Sequence, residues 1–152
     1  MKKIWWLAGA LFAFDRLSKL WAEHALAPGG TRAVWPNILQ FTYAHNTGAG
    51  FSMLTGNNTT LTLINSILLI LVLAVYIKGK SLPAPMRAGL IFYLLGGLSN
   101  VADRLIYGYV IDFIELLFIR FAVFNMADMM VTTGAALCAI GLLIPRKEAT
   151  RT

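Results

Sequence analysis

Charge is scarce in this sequence, and so is cysteine. Charged residues make up 13% of the chain and hydrophobic residues 58%, whereas a soluble domain is usually about a quarter charged. This shortage argues against a soluble protein and favours one that contacts lipid. Cys138 is the one cysteine, so an internal disulfide and a cysteine-based zinc site are both excluded. His24 and His45 are isolated and the sequence has no His-Glu-x-x-His motif. We therefore expect no metal and no cofactor.

Basic residues outnumber acidic ones, giving a net charge of +6. A basic excess is compatible with nucleic-acid binding, but here the cations lie in short clusters beside apolar runs rather than along one soluble face. Such clusters are typical of the cytoplasmic side of a membrane. We therefore expect a membrane lipid environment and no nucleic acid. The three clusters are Lys2 and Lys3; Lys78, Lys80 and Arg87; and Arg146, Lys147 and Arg151.

Four apolar runs approach the length of about 20 residues that a membrane-spanning helix needs. The sequence predicts a single membrane domain over 1–152, all-α with a small β element. The basic clusters place both termini and the loop between the second and third spans in the cytoplasm. The chain is thus predicted to be a multi-pass membrane protein. The four predicted spans are 4–22, 61–77, 86–102 and 127–144.

The N-terminus has the basic start and apolar core of a cleavable signal peptide, and residues 25–27 read like a cleavage site. Asp15, Arg16 and Lys19 follow the apolar core too closely for that interpretation. Removing this segment would also leave three spans, which conflicts with the charge pattern. We therefore predict that the segment is a retained first span.

Two longer segments, 23–60 and 103–126, are predicted on the outer side of the membrane. Residues 38–43 have the composition of a short strand. Residues 109–113 and 118–123 have a similar composition and are expected to pair with it. The sequence thus predicts a small extracytoplasmic β-sheet.

Several ionisable or amide side chains lie in or beside the spans, where they are energetically costly and so point to function. Asp15 and Lys19 are spaced i, i+4 and share a helix face. They form either a structural ion pair, with Lys19 reaching outward, or a contact to another segment or a lipid headgroup. Asn46 is followed by Gly48 in a turn-rich stretch. That stretch is either a surface turn or a loop folded over a substrate.

The end of the third span carries Asn100, Asp103 and Arg104. Asn100 and Asp103 are spaced i, i+3 and face the same way. Asp103 and Arg104 are either ordinary interface residues or part of a site, since the donors of an arginine fork suit a backbone carbonyl or a phosphate.

Two aspartates are both predicted near the outer membrane face, in apolar surroundings. Asp112 lies between Ile111 and Phe113, and Asp128 lies at the start of the fourth span, after Asn125. Two carboxylates brought close in such a site do not both ionise, and they share a proton as in an aspartic peptidase. The alternative is that Asp128 caps a helix and Asp112 lies in a turn.

Together these polar motifs resemble those of bacterial lipoprotein signal peptidase, also called signal peptidase II. The resemblance extends from the first span to the fourth. The matching blocks are Asp15-x-x-x-Lys19; Asn46-Thr47-Gly48-Ala49-Gly50-Phe51-Ser52; Asn100-x-x-Asp103-Arg104-x-x-x-Gly108-x-Val110-x-Asp112-Phe113; and Phe124-Asn125-x-Ala127-Asp128.

The resemblance implies an aspartyl endopeptidase that cleaves diacylglyceryl-modified prolipoproteins just before the lipidated cysteine, without a metal. It implies a multi-pass protein of the bacterial cytoplasmic (inner) membrane with its active site near the extracytoplasmic face. It also implies inhibition by globomycin, and Asp112 and Asp128 as the catalytic pair. We expect a monomer. Substrate binding or support of the site is implied for Asp15, Lys19, Asn46, Gly48, Asn100, Asp103, Arg104 and Asn125.

One departure and two alternatives accompany the resemblance. Gly50 stands where the family usually has alanine, which leaves the chemistry intact and predicts a more mobile loop. A serine–lysine peptidase would need Ser18 and Lys19, yet adjacent helical residues point in different directions. A proton-coupled transporter would use intramembrane acids, yet the acids here cluster near one face.

Overall fold

The structure is a computed structural model that describes residues 2–26, 30–48, 57–79 and 81–144. Within these residues the chain forms four helices and a three-stranded sheet. In chain order the elements are α1 (Lys2–Leu26), β1 (Thr31–Trp35), β2 (Leu39–Asn46), α2 (Asn58–Lys78), α3 (Ala84–Tyr107), β3 (Val110–Leu116) and α4 (Met126–Leu142).

Each predicted span coincides with a helix, and local residues explain where the helices end. The Asn57 side chain accepts a hydrogen bond from the Thr60 N–H and caps the start of α2. α3 ends at Gly108, whose φ of 81° lies in the left-handed region that glycine adopts without strain. α1 continues four residues beyond its predicted end, to Leu26, and α4 stops at Leu142 rather than 144.

Helix α2 presents apolar side chains to its surroundings along most of its length. Only Leu61 and Thr62 are buried, whereas Ile70 is 66% exposed and Ile77 67%. α2 and α3 are long and apolar enough to cross a membrane, with mean hydropathies of 2.4 and 1.2. α4 is apolar but has 17 residues, and α1 carries several charges. An exposed apolar helix of this kind favours a lipid environment over water.

Helices α3 and α4 pack closely because glycines face each other across their interface. A Cβ on Gly89 would lie 2.5 Å from the Gly134 carbonyl oxygen, and a Cβ on Gly134 would lie 2.6 Å from the Gly89 oxygen. A Cβ on Gly96 would similarly lie 2.6 Å from the Ala127 oxygen. The absence of side chains at these positions lets the two backbones touch, as in many membrane helix pairs. α3 also contacts α1 and α2, so it lies at the centre of the helices.

The three strands form an antiparallel sheet in the order β1-β2-β3. The strand predicted over 38–43 and its pairing with 109–113 are confirmed by β2 and β3. An irregularity between Phe41 and Ala44 resets the β2–β3 register, so that Ala44 lies opposite Asp112 and Asn46 opposite Val110. The end of β2 is thereby placed beside the predicted catalytic aspartate.

The strand prediction is wrong for residues 118–123. These residues form turns and irregular backbone, and the segment rejoins the sheet only at Phe124, which bridges to Ile114. β1 was not predicted. All five of its residues are exposed, so its sequence has no alternation of apolar buried and polar exposed residues that would indicate a strand.

The sheet is fixed to the C-terminal end of α1 by an apolar cluster. Ala22 and Leu26 of α1 are buried against Ile111 and Phe113 of β3. A second cluster, around Ile91 and Met130, lies deeper among the helices. These contacts attach β3, and with it the sheet, to the last turns of α1.

Candidate active site

Asp112 lies in the buried half of β3. Its side chain is 1% exposed, and both carboxylate oxygens accept amide hydrogen bonds. Asn46 Nδ2 donates to Oδ2 at 2.8 Å, and Asn125 Nδ2 donates to Oδ1 at 2.6 Å. The alternative that Asp112 lies in a turn is wrong, because the residue belongs to a strand.

Asp128 occupies the third position of α4 and completes a capping box with Asn125. The Asn125 side chain accepts from the Asp128 N–H at 2.9 Å, and Asp128 Oδ2 accepts from the Asn125 N–H at 3.1 Å. The prediction that Asp128 caps a helix is therefore confirmed. It does not compete with a role in a site, because Oδ1 is directed elsewhere and accepts from Asn100 Nδ2 at 2.7 Å.

A pair of amides connects the two aspartates. Asn125 Nδ2 donates to Asp112 and also to Asn100 Oδ1, at 3.2 Å. Asn100 in turn donates to Asp128. Both carboxylates thus belong to one hydrogen-bond network at the junction of α3, β3 and α4.

The environment of Asp112 favours its protonated form. Burial, and next the nearby Asp128 carboxylate, raise the pKa of Asp112 from 3.8 to about 7. The hydrogen bonds from Asn46 and Asn125 and the charge of Lys19 oppose this rise. The pair is therefore suited to holding one proton at neutral pH.

A buried charge cluster supports the network from α1. Lys19 Nζ lies 3.0 Å from Asp15 Oδ2 and 2.8 Å from Asp103 Oδ2, and it donates to Asn100 Oδ1 at 2.9 Å. Arg16 also pairs with Asp103. The Asp15–Lys19 pair was expected, but Lys19 does not reach outward: it is 1% exposed. Its charge is neutralised inside the protein, as a buried cation requires.

Asp15 also joins α1 to the start of α4. Its Oδ1 accepts the Ala127 N–H at 2.8 Å, and its Oδ2 accepts from Ser99 Oγ at 2.5 Å. The Ala127 N–H is one of the free donors at a helix N-terminus, where a carboxylate is favourable. Asp15 thereby fixes the turn that carries Asp128.

Arg104 and Asp103 are not ordinary interface residues, since Asp103 is fully buried and Arg104 is 8% exposed. Arg104 Nη2 donates to the Gly48 carbonyl oxygen at 3.0 Å, which attaches the segment after β2 to α3. Among the described residues, Arg104 Nε has no hydrogen-bond partner. The continuation of the glycine-rich stretch, 49–52, lies outside the described residues, including the substitution at position 50.

A cavity of about 320 Å³ opens at this network. Asn46, Gly48 and Arg104 line it on one side, and Asp128 lies on its wall. Its other lining residues come from α2, α3, α4 and the segment before α4: Asn65, Leu69, Tyr93, Gly97, Asn100, Phe121, Ala122, Val123, Phe124 and Val131. A substrate in this cavity would lie against the Asp128 side of the network.

The structure thus gathers all ten predicted site residues into one connected region. Sequence reasoning missed Arg16, Ser99, Asn58 and Asn65. Ser99 lies one turn before Asp103, a spacing that could have indicated it. Asn58, whose Nδ2 donates to the Arg104 carbonyl at 3.4 Å, has no such signal.

The alternative chemistries find no support in these contacts. Ser18 Oγ donates to the Asp15 backbone carbonyl at 3.0 Å, and Lys19 Nζ is engaged by two carboxylates and an amide. In the described part of the chain, no three His, Cys, Asp or Glu side chains are grouped as metal ligands. The buried acids are connected through Lys19, Asn100 and Asn125 into one cluster rather than spaced along a path across the helices.

Comparison with known proteins places this arrangement in a family. The family model of signal peptidase (SPase) II matches residues 7–144. The chain belongs to the signal peptidase II family. It is therefore a peptidase, a hydrolase that acts on peptide bonds.

Relatives and solved structures agree with this membership. The chain is 39% identical to a lipoprotein signal peptidase of Gloeobacter violaceus over 91% of the chain and 80% of that protein. It is 36% identical to one of Clostridium novyi over 85% and 89%. It superposes on a solved bacterial membrane enzyme with a TM-score of 0.87 and 28% identity, covering 100% of this chain and 94% of that one. This member of the signal peptidase II family is accordingly a membrane protein.

Proposed function

We propose that the chain is an aspartyl endopeptidase that removes the signal peptide from diacylglyceryl-modified prolipoproteins, cutting immediately before the lipidated cysteine. The observation that carries the proposal is the network in which Asn125 and Asn100 connect Asp112 to Asp128 beside the cavity. The relatives named lipoprotein signal peptidase support the substrate class.

In the proposed reaction the pair carries one proton. The ionised carboxylate takes a proton from a water molecule, and the water oxygen attacks the scissile carbonyl carbon. The protonated carboxyl donates to the oxygen on which negative charge develops. Collapse of the tetrahedral intermediate breaks the C–N bond. The departing nitrogen takes the proton that the first carboxylate removed from water, which returns the pair to its singly protonated state.

The other polar residues hold this pair in position. Asn46, Asn100 and Asn125 orient the carboxylates through the hydrogen bonds described above. Arg104 and Gly48 bind the substrate backbone or shape the cavity beside it. Asp15, Lys19 and Asp103 anchor α1 to the helix ends that carry the site.

The proposal includes a membrane topology. All four helices cross the bacterial cytoplasmic membrane, both termini are cytoplasmic, and residues 1–152 form one domain that acts as a monomer. The sheet and the cavity mouth lie near the extracytoplasmic face. Because a diacylglyceryl cysteine stays in the bilayer, the scissile bond is presented at that interface. Globomycin would occupy the same site.

Replacing either aspartate by asparagine tests the proposal. Purified Asp112→Asn and Asp128→Asn enzymes are assayed with a synthetic peptide that carries a diacylglyceryl cysteine. We expect each variant to lose about 10²–10⁴-fold in kcat, the usual contribution of acid–base catalysis. Retained cleavage by either variant would contradict the aspartate pair.

The matched control is Glu115→Gln on the same strand as Asp112. Glu115 accepts hydrogen bonds from Gln40 and Thr42 on the sheet, apart from the network. We expect near wild-type cleavage from this variant. An equal loss in the control would show that any carboxylate removed from β3 damages the fold, and the assay would not identify Asp112 as catalytic.

A further inference from the structure

Asn65 is a polar residue within α2, and from Ile67 to Ile77 the helix that follows it is apolar except for Tyr76. It lies seven residues after the start of α2 at Asn58, about 10 Å along the helix axis. A primary amide exposed to hydrocarbon is unfavourable unless it finds a hydrogen-bond partner. Among the described residues its side chain has none.

The side chain of Asn65 lines the same cavity as Asp128. Around it the wall is formed by Leu69 on α2 and by Tyr93 and Gly97 on α3. Tyr93 precedes Asn100 by seven residues, so the cavity continues about 10 Å from the Asn100 level toward the middle of the spans. Asn65 therefore belongs to the part of the cavity that extends into the helices from the aspartates.

The close approach of α2 and α3 determines the shape of this wall. A Cβ on Gly97 would lie 2.6 Å from Leu69 Cδ2, so any side chain at position 97 would displace Leu69. Leu69 follows Asn65 by one turn and shares its helix face. Gly97 thereby lets α2 lie against α3 with Asn65 directed to the cavity.

We propose that the Asn65 amide donates a hydrogen bond to a carbonyl oxygen of the bound substrate and so contributes to specificity. The inference rests on the proposed function, because it concerns how the same cavity holds a lipidated peptide. Two substrate groups carry such an oxygen near the scissile bond. One is an acyl ester of the glyceryl group on the cysteine, and the other is a peptide carbonyl of the signal sequence.

The experiment compares two synthetic substrates with the same peptide. One carries an ester-linked diacylglyceryl cysteine, and the other an ether-linked dialkylglyceryl cysteine, which has the same chain length but no ester carbonyls. Asn65→Leu removes the amide and keeps the same branching and number of side-chain heavy atoms. kcat and KM are measured for purified wild type and variant on both substrates. The matched control is Ser66→Leu, which makes the same helix more apolar at a residue that does not line the cavity.

If Asn65 binds an ester carbonyl, the variant loses about fivefold in kcat/KM on the ester substrate, mainly through KM, and nothing on the ether substrate. That loss corresponds to one net hydrogen bond. An equal fivefold loss on both substrates identifies a peptide carbonyl. Asn65→Gln, which keeps an amide donor, is expected to recover part of the loss.

Unchanged kinetics of Asn65→Leu on both substrates would overturn the inference while leaving the proposed function intact. A loss that Ser66→Leu shares would overturn it too, because the effect would then belong to the helix rather than to the amide. If the wild-type protein cleaves neither the ester-linked nor the ether-linked substrate, the proposed function is overturned together with this inference.

Discussion

At the scale of single residues, the protonation of Asp112 sets how the site responds to pH. Burial and the neighbouring Asp128 raise its pKa from 3.8 to about 7, so Asp112 keeps its proton in the folded protein well above the pH at which an exposed aspartate loses it. The proposed reaction needs one proton on the pair. As pH rises through about 7, that proton is lost and the reaction slows.

We therefore predict that kcat/KM falls above about pH 7. Well above the pKa of Asp112, the fall is expected to be about tenfold per pH unit, as for the loss of one proton. Asn46→Ala should move this alkaline limb to higher pH, because the Asn46 hydrogen bond lowers the pKa of Asp112. The measurement is a pH–rate profile of both proteins. Gln40→Ala, which removes a β2 amide bonded to Glu115 instead, should leave the limb in place. A limb at the same pH in Asn46→Ala would contradict the assigned role of that amide.

At the scale of the elements, the contact of α3 with α4 positions Asn100 relative to Asp128. The contact depends on backbone atoms at Gly89 and Gly134 that approach without intervening side chains. A methyl group there meets main-chain atoms, which cannot rotate away as a flexible side chain can. Spacing between the helices is thus determined by residues more than one turn from the carboxylates.

Gly134→Ala is predicted to destabilise the enzyme by about 1–3 kcal/mol, the usual range for overpacking. Its Cβ would lie 2.6 Å from the Gly89 oxygen and 2.7 Å from the Tyr93 nitrogen. The measurement is thermal unfolding in detergent together with kcat. Gly9→Ala is the matched control, since no atom lies within 4 Å of its added Cβ. It should lose no stability, because alanine has the higher helix propensity, by up to about 1 kcal/mol.

At the scale of the whole molecule, the proposed topology places the sheet and the charged loops on opposite sides of the membrane. We predict that cysteines introduced at Arg32 or Arg120 react with a membrane-impermeant maleimide on intact cells. Cysteines at Lys3 or Ser81 should react only after permeabilisation. All four positions are exposed, and Cys138→Ser removes the background thiol. Labelling of position 3 or 81 from outside would reject the orientation.

The sequence predicted the helices and the position of the aspartates better than it predicted how the site is assembled. Long apolar runs and basic clusters are local signals, and they located four helices to within a few residues. The contacts of Lys19 are not local: its partners Asn100 and Asp103 lie on another helix. Its burial therefore depends on helix packing, which composition does not reveal.

Only part of the sheet was predicted correctly, for a related reason. β2 and β3 carry aromatic and branched residues that indicate strands, whereas β1 is exposed throughout and lacks a buried face. Residues 118–123 have a strand-like composition, but the chain turns there and meets the sheet again only at Phe124. The roles of Asp112 and Asp128 remain predictions from resemblance and geometry until their variants are assayed.

The hydrogen bonds of Asp15 have a consequence for the order in which the protein is made. Asp15 is synthesised early, yet Ser99 and Ala127, which its two oxygens bind, lie 84 and 112 positions later in the chain. Until α3 and α4 are synthesised, the cations on the same helix that can offset the Asp15 charge are Arg16 and Lys19. No nascent fragment that stops before Asp128 holds the complete pair, so the proposed hydrolytic activity arises only once the last helix has entered the membrane.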